Sequence, residues 1–105
     1  MTKLFVYGQL KPKHKYALKT KTKAVSAKAK GTLYDLGHDA ALKPSKKMNA
    51  AGVVDKVSRA IINKLDKEEK PQFKRIKIKT SKGVADTYKY SPSVKGKKQI
   101  KKWGK

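Results

Sequence analysis

The sequence predicts an α+β domain built on a small mixed or barrel-like β-sheet with one or two short helices. Three observations lead there. Residues 25–34 and 73–80 alternate apolar and polar side chains with a period of two, as half-buried strands do. Leu4-Phe5-Val6-Tyr7 is an unbroken apolar run that stops at Gly8, as a buried strand ending in a turn would. Only residues 58–70 carry a helical period, so one central helix sits among many strands. No repeat or second domain is visible; residues 1–91 read as a single domain and residues 92–105 as a lysine-rich tail.

The glycine that ends the first strand lets the backbone take positive φ and lets a ligand approach exposed N–H groups. The plainer reading is a core strand followed by an ordinary turn. Residues 13–23 are dense in lysine and read as an exposed loop or short helix. From Val25 a strand places Val25, Ala27 and Ala29 on one face and Ser26, Lys28 and Lys30 on the other. Gly31 marks a bulge or bend before Thr32-Leu33-Tyr34 continues the run. Asp35, Gly37 and Asp39 supply turn chemistry, and residues 40–50 read as a loop holding Pro44 and three lysines.

Gly52 to Val57 is a further strand, and Ser58 is placed to cap the helix after it. Ile61, Ile62 and Leu65 share a face of that helix, which Pro71 terminates after about two to three turns. Phe73 to Thr80 and Val84 to Tyr90 read as a hairpin joined at Ser81-Lys82-Gly83. Beyond Ser91, Pro92, Gly96 and six lysines suggest a segment that is ordered only if it docks. Trp103 within it either packs back on the domain or stacks on a base; packing is the simpler expectation.

Charge is the compositional outlier. Twenty-nine basic residues against seven acidic give a formal charge of +22, and residues 1–34 contain no carboxylate. Such an excess costs stability through self-repulsion and points to a polyanionic partner, most simply nucleic acid. A surface merely inflated with solvated lysine is the alternative. All but Arg59 and Arg75 of the basic residues are lysine, a point charge without the fork that reads base edges. Backbone contact without sequence preference is the mode this composition favours. With no cysteine and only His14 and His38, no thiolate site is possible and no metal or other cofactor is expected. No apolar run reaches membrane-spanning length and residues 1–15 lack a signal-peptide centre. The expected setting is therefore cytoplasmic, of a cell or of an infected host.

Four segments in order resemble the gamma-glutamylcyclotransferase-like family. Val6-Tyr7-Gly8-Gln9-Leu10-Lys11-Pro12 is similar to its Val-Tyr-Gly-Thr-Leu-Lys-Pro signature, and Gly31 to Gly37 to its second segment. Gly52 to Val57 followed by Leu65-Asp66-Lys67-Glu68-Glu69 is similar to the strand and helix that deliver the family's glutamate. The hairpin of Phe73-Lys74-Arg75 and Val84 to Tyr90 matches in pattern. The resemblance implies a small mixed barrel with a cavity beside the opening turn. It also implies a γ-glutamyl small molecule as substrate, whose α-amine attacks its own γ-carbonyl to give 5-oxoproline and a released amine. By position Glu69 is the acid/base, and Tyr7, Gly8, Gln9 and Leu10 line the substrate turn; a slip of one residue would exchange Glu68 and Glu69. Lys67 and Lys70 beside it favour the ionised carboxylate. The chain departs from the family pattern at Gln9, where a small hydroxyl residue is usual, and at Lys70, where glycine is.

The resemblance leaves the charge unexplained, so a second class of function stands beside the enzymatic one. In it the fold is a catalytically impaired basic scaffold for DNA or RNA, or one that captures another anionic partner. The residues that would carry nucleic-acid binding are Lys28, Lys30, Lys77 and Lys79 on the strands, and Lys97, Lys98, Lys101, Lys102 and Trp103 in the tail.

Overall fold

The computed structural model describes residues 2–8, 24–37, 39–69 and 72–103, and of Glu68 and Glu69 the backbone alone. The first strand, β1 (Thr2–Val6), is buried on both faces, which is why its apolar residues do not alternate with polar ones. Leu4 and Val6 join a cluster with the helix, while Phe5 and Tyr7 join the cluster at the centre of the molecule.

The run from Val25 to Asp35 is two strands rather than one: β2 (Val25–Ala29) and β3 (Gly31–Asp35), separated by a bend at Lys30. The Lys30 N–H donates to the Lys79 carbonyl and its own carbonyl accepts from the Ser45 N–H, so the bend is held on both sides. The two strands enter different sheets. Val25, expected on the buried face, is 47% exposed, whereas Ala27 and Ala29 are buried as expected.

Residues 40–50 are not a loop throughout. Ala40–Pro44 forms β4, antiparallel to β3 with Leu33 opposite Leu42, and Ala40, Ala41 and Leu42 are fully buried. The strand β5 (Ala50–Val57) begins two residues before the expected Gly52. Helix α1 (Arg59–Glu69) follows, and the Ser58 hydroxyl accepts from the Ile61 N–H at 3.3 Å, the expected cap. Ile62 and Leu65 bury its inner face against Leu4, Val6, Val57 and Tyr88.

Strands β6 (Phe73–Thr80) and β7 (Gly83–Tyr90) pair along their whole length, from Phe73 opposite Tyr90 to Thr80 opposite Gly83. The Thr80 hydroxyl closes the two-residue turn, accepting from the Lys82 N–H and donating to the Gly83 carbonyl. Residues 92–103 do dock. Lys98–Ile100 forms β8 against β3, and Ile100 and Trp103 pack on the central cluster.

The architecture is α+β and rich in sheet. Five strands close in the order β1-β5-β2-β6-β7, and a second sheet has the order β4-β3-β8. The larger sheet is mixed, since β1 runs parallel to β7 and antiparallel to β5. Its interior is lined by small residues, Ala27, Ala29, Ala50 and Ala85, around the fully buried Phe5 ring. Gly52 belongs to this arrangement. A Cβ there would stand 2.3 Å from the Val6 carbonyl oxygen and 2.9 Å from the tip of Phe5. Neither backbone nor a packed ring yields cheaply. Gly52→Ala is therefore expected to lower unfolding stability by about 1–3 kcal/mol, read from urea denaturation. Stability equal to wild type would contradict this packing.

Candidate functional site

The site implied by the opening signature has two sides, the turn after β1 and the C-terminal end of α1. Tyr7 and Gly8 begin the turn and both are buried; Gln9 and Leu10 lie outside the described residues. Glu68 and Glu69 close α1.

Strand β7 connects the two sides. The Tyr7 hydroxyl donates to the Tyr88 carbonyl. The Tyr88 hydroxyl in turn donates to Asp66 Oδ1 at 2.7 Å, one helical turn before Glu69. Tyr88 packs with Ile62 and Leu65 on the inner face of the same helix. One residue of β7 therefore holds the end of the first strand through its backbone and the end of the helix through its side chain.

Asp66 also joins a line of alternating charges. Arg75 Nε stands 3.3 Å from Asp66 Oδ1, and Arg75 Nη1 stands 3.4 Å from Asp86 Oδ2. Asp86 Oδ1 in turn stands 3.2 Å from Lys77 Nζ. The Asp86 carboxylate is mostly buried, so its two cationic neighbours offset the desolvation it suffers there. Among the described residues no group of three His, Asp or Glu side chains could hold a metal ion, and no helix is long and apolar enough to cross a membrane.

Gly8 has a different reason for being glycine than backbone conformation. Its φ lies outside the left-handed region, but a Cβ there would stand 2.0 Å from Asp39 Oδ1. The Asp39 carboxylate, which accepts from the Ala40 N–H at 2.8 Å, is pressed against the turn. In the sequence Asp39 signals only turn chemistry. Its approach to Gly8 depends on how the β3–β4 hairpin packs, and no local spacing announces it.

The lysines proposed for nucleic-acid contact separate into groups. Lys28 and Lys79 are exposed on the adjoining strands β2 and β6, with the Lys30 bend between them tied to Lys79. Lys77 is engaged with Asp86. Lys98 lies on β8 opposite Asp35, and the Lys101 carbonyl accepts from the Ala51 N–H, which carries Lys101 and Lys102 alongside β5. Trp103 is half-buried against the central cluster.

Tyr88→Phe removes the hydroxyl that Asp66 accepts and leaves the backbone link to Tyr7 in place. A stability loss of about 1 kcal/mol is expected in denaturant unfolding. Together with Asp66→Ala in a double-mutant cycle, the two losses should be clearly less than additive. Full additivity would show that the contact is not made.

Comparison with known proteins supports the same frame. A family profile described as gamma-glutamyl cyclotransferase, AIG2-like, matches residues 4–104. A comparison with curated protein sequences returns no match. Among solved structures, the Escherichia coli protein ytfP is 28% identical with a TM-score of 0.69, covering 95% of this chain and 92% of its own. An uncharacterized protein from Pyrococcus horikoshii, PH0828, is 20% identical with a TM-score of 0.73, over 96% of this chain and 86% of that one. YkqA from Bacillus subtilis is 21% identical with a TM-score of 0.75, and this chain spans only 39% of its length. The profile spans nearly the whole chain, which therefore belongs to the gamma-glutamyl cyclotransferase, AIG2-like family.

Proposed function

We propose that this chain cyclises a γ-glutamyl amine or γ-glutamyl amino acid to 5-oxoproline, with Glu69 as the acid/base. The observation that carries the reading is the Tyr88 link, which ties the Tyr7–Gly8 turn to the last turn of α1, where Glu69 sits. Family membership supports it.

The chemistry asks little of the protein. The nucleophile and the electrophile belong to one substrate molecule, so holding it folded back removes most of the entropic barrier. The Glu69 carboxylate takes a proton from the α-ammonium, freeing a lone pair to attack the γ-carbonyl carbon. It returns that proton to the departing nitrogen as the carbon–nitrogen bond breaks. The second ammonium proton leaves the new ring nitrogen and ends on the freed amine or in solvent, so Glu69 finishes as it began. Backbone N–H groups of the turn at Gly8, Gln9 and Leu10 bind the substrate carboxylate or the developing oxyanion. Asp39 against Gly8 narrows the turn on one side.

Incubation with a panel of γ-glutamyl amines and γ-glutamyl amino acids should release 5-oxoproline, measured by chromatography. Glu69→Gln should reduce kcat by at least about a hundredfold, the usual scale for loss of a general base, without changing the thermal transition. Glu68→Gln should retain most of the activity. Turnover surviving Glu69→Gln, or absent from wild type across the panel, would overturn the proposal.

A further inference from the structure

Away from the turn and helix end, a shallow groove of about 440 Å³ opens between β2, β5, the β6–β7 turn and the C-terminal segment. Its walls are made by Lys28 from β2, Lys82 from the β6–β7 turn and Lys102 from the C-terminal segment, with Ser26, Ser81 and Met48. Among the described residues no carboxylate lines it.

Three parts of the chain far apart in sequence are fixed together to make this groove. Lys28 stands opposite Ala51 in the β2–β5 ladder. The Ala51 N–H donates to the Lys101 carbonyl at 2.9 Å, which sets Lys102 beside the same strand. Ser81 exchanges two hydrogen bonds with Lys28, its N–H donating to the Lys28 carbonyl and its hydroxyl accepting from the Lys28 N–H. The Lys82 carbonyl accepts from Lys3 Nζ, so another ammonium lies just beyond the rim. Backbone bonds thus place the three lysines, whose own side chains remain exposed.

We infer that this groove holds a single strand of nucleic acid, its phosphates on Lys28, Lys82 and Lys102. Bringing ammonium groups together costs repulsion that a polyanion relieves, and the chain carries +22 to steer one in. The lysines offer point charges without a fork, which fits phosphate rather than base edges. The floor at Ala51 and Gly52, with Met48 at 38% exposure, gives sugars and base faces an apolar surface. The apolar floor favours a single strand, whose bases are free to lie on it, over a duplex, whose base faces are already stacked on one another. Lys79 and the Lys30 bend continue the basic surface along β2 and β6.

The test is fluorescence anisotropy of a labelled oligothymidylate titrated with the intact protein at several salt concentrations. Two triple variants remove equal charge: Lys28→Gln with Lys82→Gln and Lys102→Gln in the groove, and Lys67→Gln with Lys74→Gln and Lys89→Gln outside it. Lys74 and Lys89 face each other at the far end of the β6–β7 hairpin, about 20 Å from Ser81 at the usual rise per residue. The groove variant should bind at least about tenfold more weakly. Its salt slope should be lower by about 2, at roughly 0.7 per lost phosphate contact. The control should lose less than about threefold, and both variants should keep the wild-type thermal transition. Equal losses in the two variants, no binding at low ionic strength, or tighter binding of a duplex would overturn the inference. Polyglutamate binding with the same dependence on the three lysines would assign the groove to an acidic protein instead. Cyclotransferase turnover is not the readout, so the result stands apart from the role of Glu69.

Discussion

The position of one tyrosine, Tyr88, governs how the two sides of the candidate site meet. Its ring is buried among Leu4, Val6, Val57, Ile62 and Leu65, where strand β1, strand β5 and helix α1 converge. Apolar contact alone would leave the helix free to slide or roll on such a surface, since burial is not directional. The hydroxyl bonded to Asp66 removes that freedom, and the carbonyl bonded by Tyr7 does the same for the end of β1. Acid/base chemistry on a folded-back substrate tolerates errors of only about half an ångström, so the proposed reaction would call for register of this kind. The hydrophobic cluster supplies the stability and the polar contacts supply the position.

The molecule's charge distribution follows from where its few carboxylates are used. Asp66 and Asp86 are engaged with Arg75 and Lys77 on the helix side of the sheet. Asp35 accepts from the Gly37 N–H in its turn, Asp39 sits against Gly8, and Glu68 and Glu69 end the helix. Strand β2 and the segment after Asp86 contain none. Among the described residues the groove is lined by lysine and no carboxylate, so it and the candidate active site draw on different residues. A reaction centre and a polyanion surface can coexist there without competing for residues.

Much of this architecture is legible in the sequence because the signals are local. The apolar run of β1, the Ser58 cap, the helical face of Ile62 and Leu65, and the Thr80–Gly83 turn each follow from the periods and turn chemistry of their own residues. The misread elements depend on distant partners. Ala40-Ala41-Leu42 is too small and too close to Pro44 to announce a strand, and it becomes β4 because Leu33 and Leu42 share the central core. The sequence marks a bulge or bend at Gly31 within one continuing run, whereas bonds to Lys79 and Ser45 turn the chain at Lys30 and send the two halves into different sheets. β8 is three residues within a lysine-rich stretch, chosen by β3 rather than by its own propensity. In the candidate site, Tyr7, Gly8 and Glu69 are visible through the family pattern. The Tyr88 link, the approach of Asp39 and the meeting of Lys28, Lys82 and Lys102 are products of folding and have no spacing to betray them.

The proposed reaction needs the opening turn and the end of α1 to form one binding site. Titrating ¹⁵N-labelled protein with 5-oxoproline, the product of the proposed reaction, tests it most directly through amide chemical shifts. Saturable shifts are expected at Tyr7, Gly8 and Glu69 with a common dissociation constant, and none at Lys28, Lys82 or Lys102. Shifts confined to the groove, or turn and helix amides that respond with different constants, would contradict it.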